Sequence, residues 1–138
     1  MDHSATMEKM YERINAHDVD GFSEYLADDF VEHETAPGLA PTREGVRQFF
    51  TMYIAGFPDL NFETEDMLAS GDKVVARIRV TGTHTGEMMG IPPTGKRIEL
   101  VSPNIGRIRD GRAVEHWADQ SMFQFLQQIG ALEQPAAG

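Results

Sequence analysis

Apolar positions along this chain recur first at helical spacing and later at every second residue. Met7, Met10, Tyr11 and Ile14 fall on one face of a 3.6-residue repeat, which predicts an amphipathic helix over residues 4–16. Asn15-Ala16-His17-Asp18 interrupts it. Asp20 is then read as the N-cap of a short second helix whose apolar face is Phe22, Tyr25 and Leu26. Residues 28–33 form a short strand candidate, closed by Pro37-Gly38. Thr42 caps a predicted third helix, with Glu44 in the first turn, where the helix dipole favours an acid. Val46, Phe49, Phe50, Tyr53, Ile54 and Phe57 make its apolar face.

After Pro58 the period becomes two. Leu60, Phe62, Thr64 and Asp66 alternate with Asn61, Glu63 and Glu65. Ser70-Gly71-Asp72 signals a turn, and Val74, Ala76, Ile78 and Val80 then share one strand face. Residues 82–96 are rich in Gly and Pro and read as a long loop. Residues 97–109 form a further strand, Asp110-Gly111 a tight hairpin turn, 112–120 the last strand and 121–132 a helix. Helices first and antiparallel strands afterwards predict an α+β fold, with N-terminal helices packed on one face of a curved, mostly antiparallel sheet. The expected organisation is a single domain, residues 1–133, with a disordered tail at 134–138.

Composition narrows the chemistry. The chain of 138 residues suits one core and contains no cysteine, which removes disulfides, thiolate metal sites and cysteine nucleophiles. A formal charge of −10 opposes binding to nucleic acid or to anionic membranes. No apolar run approaches bilayer length and no signal peptide is visible, so the expected location is the cytoplasm.

The strand Arg112–Gln120 gathers the only tryptophan, a histidine and two acids. Strict alternation puts Glu115, Trp117, Asp119 and Ser121 on one face and Val114, His116 and Ala118 on the other. If the first face meets a cavity, an acid beside an aromatic wall suits proton transfer near neutral pH. Ser121-Met122-Phe123-Gln124 fits a capping box, so Ser121 is read as a helix cap. His33, His84 and His116 carry no paired metal spacing, and no metal site is expected. Arg107 shares a strand face with Val101, Pro103 and Ile105 and is a candidate for an enolate or carboxylate oxygen. Gly90–Lys96 imitates a phosphate loop, but Arg97 replaces the Ser or Thr that would hold magnesium and a strand follows instead of a helix.

Several segments together resemble the SnoaL-like polyketide cyclase family. They are Tyr11–Asp18, Ala55–Leu60, Thr81–Gly86, Pro93–Lys96, Asp110-Gly111-Arg112, Glu115-His116-Trp117 and Gln127–Gly130. The resemblance covers nearly the whole chain. It implies a cone-shaped α+β barrel like that of scytalone dehydratase, ketosteroid isomerase and nuclear transport factor 2, with a deep apolar pocket. It also implies a homodimer, and aldol ring closure of a polyketide without metal or cofactor, driven by an aspartate of the last strand. That aspartate falls four residues after the tryptophan, where this chain has Ser121; Asp119 stands two residues earlier. One such step moves a carboxylate by roughly 6–7 Å along the strand.

The expectation is therefore cofactor-independent acid/base chemistry, aldol cyclisation or isomerisation, on a hydrophobic carbonyl-bearing small molecule. Asp119 is the acid/base candidate. His33, His84, Arg107 and Glu115 are polar pocket candidates, with Trp117, Phe50 and Tyr53 as walls. The alternatives are a non-catalytic ligand-binding or dimerising member, and a hydratase or hydrolase.

Overall fold

The computed structural model describes residues 3–119 and 121–132. Its elements are α1 (His3–Asn15), α2 (Val19–Ser23), β1 (Leu26–Glu32), α3 (Arg43–Gly56), β2 (Asn61–Ser70), β3 (Lys73–Thr83), β4 (Arg97–Arg109), β5 (Arg112–Ala118) and α4 (Met122–Gln128). The expected tail at 134–138 lies outside the described residues, as do both ends of the domain read as 1–133. The five strands form one sheet in the order β1-β5-β4-β3-β2. β1 runs parallel to β5 and the other pairs are antiparallel. The sheet does not close, because β1 and β2 remain as edges. The architecture is thus the α+β class expected, as an open mixed shell.

Alternation decides which face of the sheet meets the helices. On β3, Val74, Ala76, Ile78 and Val80 are buried; on β4 the even-numbered residues from Ile98 to Ile108 are. Helix α1 packs over β2, β3 and β4, α3 over β1, and α4 over β4. Met7, Met10 and Ile14, the face of α1 legible from spacing, enter this core. The odd positions of β4 lie on the outer face, where Val101 remains 38% exposed.

Asp110 and Gly111 both take positive φ (52° and 74°), as the hairpin turn requires. Thr42 caps α3 by accepting a bond from the Gly45 amide at 3.2 Å, as expected. Two caps differ from expectation. Asp18 caps α2, accepting from the Gly21 amide at 2.8 Å, while Asp20 sits within the first turn. Ser121 precedes α4 but has a left-handed backbone (φ 51°, ψ 39°) and makes no side-chain cap bond. A capping hydroxyl needs an extended backbone to reach the helix amides. Instead Asp119 Oδ1 accepts from the Ser121 amide at 2.9 Å, and the Ser121 carbonyl accepts from the Phe125 amide.

The loop after β3 is pinned at Gly86, whose amide donates to the Gly56 carbonyl. A Cβ there would lie 2.0 Å from the Ala55 carbonyl oxygen. Gly86→Ala is expected to cost about 1–3 kcal/mol of overpacking, read as a lower urea midpoint. This loop carries Met88 into the core beside Gly56.

Candidate active site

Between the helices and the sheet lies a cavity of about 140 Å³. Its body is apolar. Phe49, Phe50 and Tyr53 of α3 meet edge to face at 5.2 and 5.4 Å and line one side, and Met7 and Ile14 of α1 line another. These residues follow from the 3.6-residue spacing of two amphipathic helices, α1 over β2, β3 and β4 and α3 over β1, whose apolar faces both turn to the sheet.

One end of the cavity is polar. The buried ladder of β4 runs Ile98, Leu100, Ser102, Asn104, Gly106, Ile108, so three successive inward positions are polar or small. β5 lies beside them in antiparallel register, pairing His116 with Gly106 and Ala118 with Asn104. The parallel edge strand β1 brings Glu32 level with His116. His116 Nδ1 lies 2.8 and 2.7 Å from the two carboxylate oxygens of Glu32, and Nε2 lies 2.9 Å from Asn104 Oδ1. All four of Glu32, Ser102, Asn104 and His116 line the cavity. Glu32 is only 8% exposed.

This arrangement assigns protons. A carboxylate beside Nδ1 accepts its N–H and leaves Nε2 as the nitrogen that gains or gives a proton. When Nε2 carries the proton it donates to Asn104 Oδ1, whose amide nitrogen is turned toward the Ser102 carbonyl at 3.4 Å. The resulting imidazolium has Glu32 as counter-ion. A cation would otherwise be costly next to so much apolar surface.

A register shift between Arg107 and Ile108 redistributes β5. Ala113 pairs with Ile108 and is buried, whereas Glu115 pairs with Arg107 and Trp117 with Ile105, on the outer face. The cavity therefore lies on the His116 side of β5, opposite to the side that carries Glu115 and Trp117. The ring of His33 stacks on Trp117 at 4.7 Å, with Nε2 2.9 Å from Glu115. Arg107 donates to Glu115 at 3.0 Å and to Asp72 at 2.9 Å. So His33, Arg107, Glu115 and Trp117 do come together, in an ion-paired cluster outside the cavity; Glu115 reaches the lining with its side chain turned away. His84 is fully buried in the loop after β3, stacked on Phe57 at 5.2 Å, with Nδ1 3.0 Å from the Thr94 hydroxyl, and is not part of the lining. Phe50 and Tyr53 line the cavity. Asp119 stands at its rim, exposed, with Oδ1 taken by the Ser121 amide.

Glu32, Ser102 and Asn104 escaped the sequence reading, and His116 entered it only as a residue of the opposite strand face, with no role in the site. The signal was present in β4, where polar side chains occupy inward positions of an otherwise apolar ladder. Glu32 had no such signal, because only the parallel pairing of β1 with β5 sets it beside His116.

The outer cluster titrates. The hydrogen bond from His33, aided by the Arg107 guanidinium, holds the Glu115 carboxyl below its ordinary value. The Arg107 hydrogen bond does the same for Asp72. A depressed folded pKa means that the unfolded chain binds protons first on acidification, so stability is lost as pH falls below the ordinary carboxylate range. A fluorescence-monitored melt between pH 6 and 3 is expected to show a falling midpoint, and Glu115→Gln is expected to flatten that fall.

An open α+β shell around an apolar cavity, with a paired imidazole and carboxylate at one end, defines the class. The sequence model of SnoaL-like polyketide cyclases matches residues 5–129, and the chain belongs to that family. Among solved structures it is similar to IdmH of Streptomyces antibioticus, described as a candidate polyketide cyclase. That match has 35% identity over 94% of this chain and 99% of the other, with a TM-score of 0.81. AclR of Streptomyces galilaeus, described as a candidate hydroxylase, is 30% identical over 95% and 97% of the two chains, with a TM-score of 0.82. TsrD of Streptomyces laurentii is 27% identical over 94% and 95%, also at 0.82. No curated protein matches the sequence significantly. Among the described residues no helix is long and apolar enough to cross a membrane.

Proposed function

We propose that this protein catalyses proton transfer next to a carbonyl of a hydrophobic small molecule, leading to aldol cyclisation or isomerisation. The observation that carries the reading is the His116–Glu32 pair, 2.7 Å apart, at the polar end of the apolar cavity. On this reading His116 Nε2 takes the proton once the substrate displaces its contact with Asn104 Oδ1, Glu32 fixes the ring and balances the imidazolium, and Ser102 and the Asn104 amide are the polar groups on offer to the enolate oxygen. The step calls on no cofactor. Asp119, the acid/base candidate from sequence, competes for the same role from the rim.

The test needs no knowledge of the natural substrate. Exchange of α-protons in D₂O is followed by NMR for a panel of aryl methyl ketones. The wild-type protein is expected to exceed buffer catalysis, and Asp119→Asn to keep most of that excess. Loss of exchange in Asp119→Asn would return the role to Asp119. A wild-type protein that binds the ketones without exchanging them would be a binding module.

We also propose that the outer sheet face, where Val31, Val75 and Val101 are exposed, pairs two copies of the chain. Light scattering of wild type and Val75→Lys is the check, with a dimer expected for the first and a monomer for the second.

A further inference from the structure

The cavity contains a polar group that the proposed proton transfer does not use. Tyr11 of α1 lines it, with its ring 5.9 Å from that of Phe62 on β2. The hydroxyl is buried and meets no hydrogen-bond partner among the described residues. Phenylalanine would fill the same space without that penalty, so the hydroxyl is a cost to the empty protein. Burial also drives the Tyr11 pKa well above the ordinary tyrosine range, which keeps the group a neutral O–H donor.

Its position is the second observation. Tyr11 adjoins β2, one edge of the sheet, whereas Glu32 lies on β1, the other edge. β5, which carries His116, is three strands from β2, a separation on the order of 14 Å. Tyr11 thus lies toward the β2 side of the lining and the His116–Glu32 pair toward the β1 side. Water is a poor partner for Tyr11, because a buried water needs two to four polar contacts and the ring beside Tyr11, that of Phe62, offers none. Among the described residues neither lysine nor arginine lines the cavity, so a carboxylate is a poor partner as well. Met7 and Met10 are flexible thioethers that repack readily around an incoming ligand.

We propose that the Tyr11 hydroxyl anchors the substrate by donating to a neutral oxygen, a carbonyl, hydroxyl or ether, at the end remote from the His116–Glu32 pair. This deepens the proposed function and rests on the cavity being the ligand site, whichever residue is the base. The substrate class that follows is an elongated apolar skeleton bearing oxygen at both ends.

Two probes of similar shape separate the hydroxyl from the ring. 2,6-Diacetylnaphthalene carries a carbonyl at each end, and 2,6-diisopropylnaphthalene carries none. Calorimetric titration is expected to show about a tenfold loss of diketone affinity in Tyr11→Phe, with hydrocarbon affinity unchanged. Unliganded Tyr11→Phe is expected to melt no lower than wild type. The diketone effect of Tyr11→Phe is expected to persist in a His116→Ala background, where the proposed chemistry is lost. Equal changes for both probes, or a melting point several degrees lower with diketone affinity intact, would overturn the Tyr11 assignment alone. Failure of wild type to bind either probe would overturn the cavity reading with it.

Discussion

Replacing His116 with alanine is expected to lower ketone exchange by about 10²–10⁴-fold, the usual contribution of a positioned acid/base. The same change strands a buried carboxylate, since His116 is the partner of Glu32 and Glu32 is 8% exposed. Breaking a buried ion pair from one side costs about 3–5 kcal/mol, and the opening of His116 to the cavity reduces that to roughly 2–3 kcal/mol. Activity and stability therefore fall together in the single variant. The double variant Glu32→Gln/His116→Ala separates them. It removes the stranded charge, so its urea midpoint is expected to recover toward wild type while exchange stays absent. Glu32→Gln alone keeps the imidazole but loses its counter-ion, and its exchange rate is expected to fall less than that of His116→Ala. Equal exchange in wild type and both single variants would remove the pair from the mechanism.

Phe57→Ala is expected to be the most destabilising single change outside the site, at about 3–5 kcal/mol. Phe57 is fully buried, and its ring touches Tyr53 at 5.5 Å, His84 at 5.2 Å and Phe125 at 5.6 Å. It joins the C-terminal end of α3 to α4 and to the loop that carries Met88. Tyr53, Met88 and Phe125 all line the cavity, so the void left by the ring is expected to loosen the ligand site as well. Chemical denaturation gives the first effect; the affinity of an aryl ketone, measured in the folded range, gives the second.

The elements were largely legible because each rests on a local rule. The spacing of Met7, Met10 and Ile14 needs only one helix to be meaningful, as does the Thr42 cap. Asp110-Gly111 forms its turn because that pair tolerates positive φ. The caps at Asp20 and Ser121 were misplaced by the same kind of rule. At α2 the helix starts two residues earlier, with Asp18 as its cap, and at α4 the left-handed backbone of Ser121, whose own amide is held by Asp119, removes the extended geometry a capping hydroxyl needs; neither is visible in a pattern.

The site was legible only in part. Phe50 and Tyr53 follow from the apolar face of α3. The separation of His116 from Glu115 and Trp117 follows from alternation. Which of those two faces looks inward does not, because it depends on the bulge between β4 and β5 and on pairing with the even positions of β4. That register placed His116 in the cavity and sent Glu115, Trp117, His33 and Arg107 to the outer face.

The sequence by itself determined the α+β order, the amphipathic faces, the turns and the family resemblance, all of which rest on interactions within a few residues or on ordered motifs. Only the tertiary structure decided which polar groups meet. Glu32 and His116 are 84 positions apart in the chain, and their contact exists because a parallel edge strand is laid against β5. Long-range pairing of that kind depends on the whole sheet, and no local spacing encodes it. The same holds for the hydroxyl of Tyr11, whose position on α1 was plain from the start and whose lack of a hydrogen-bond partner among the described residues became visible only once the cavity had formed around it.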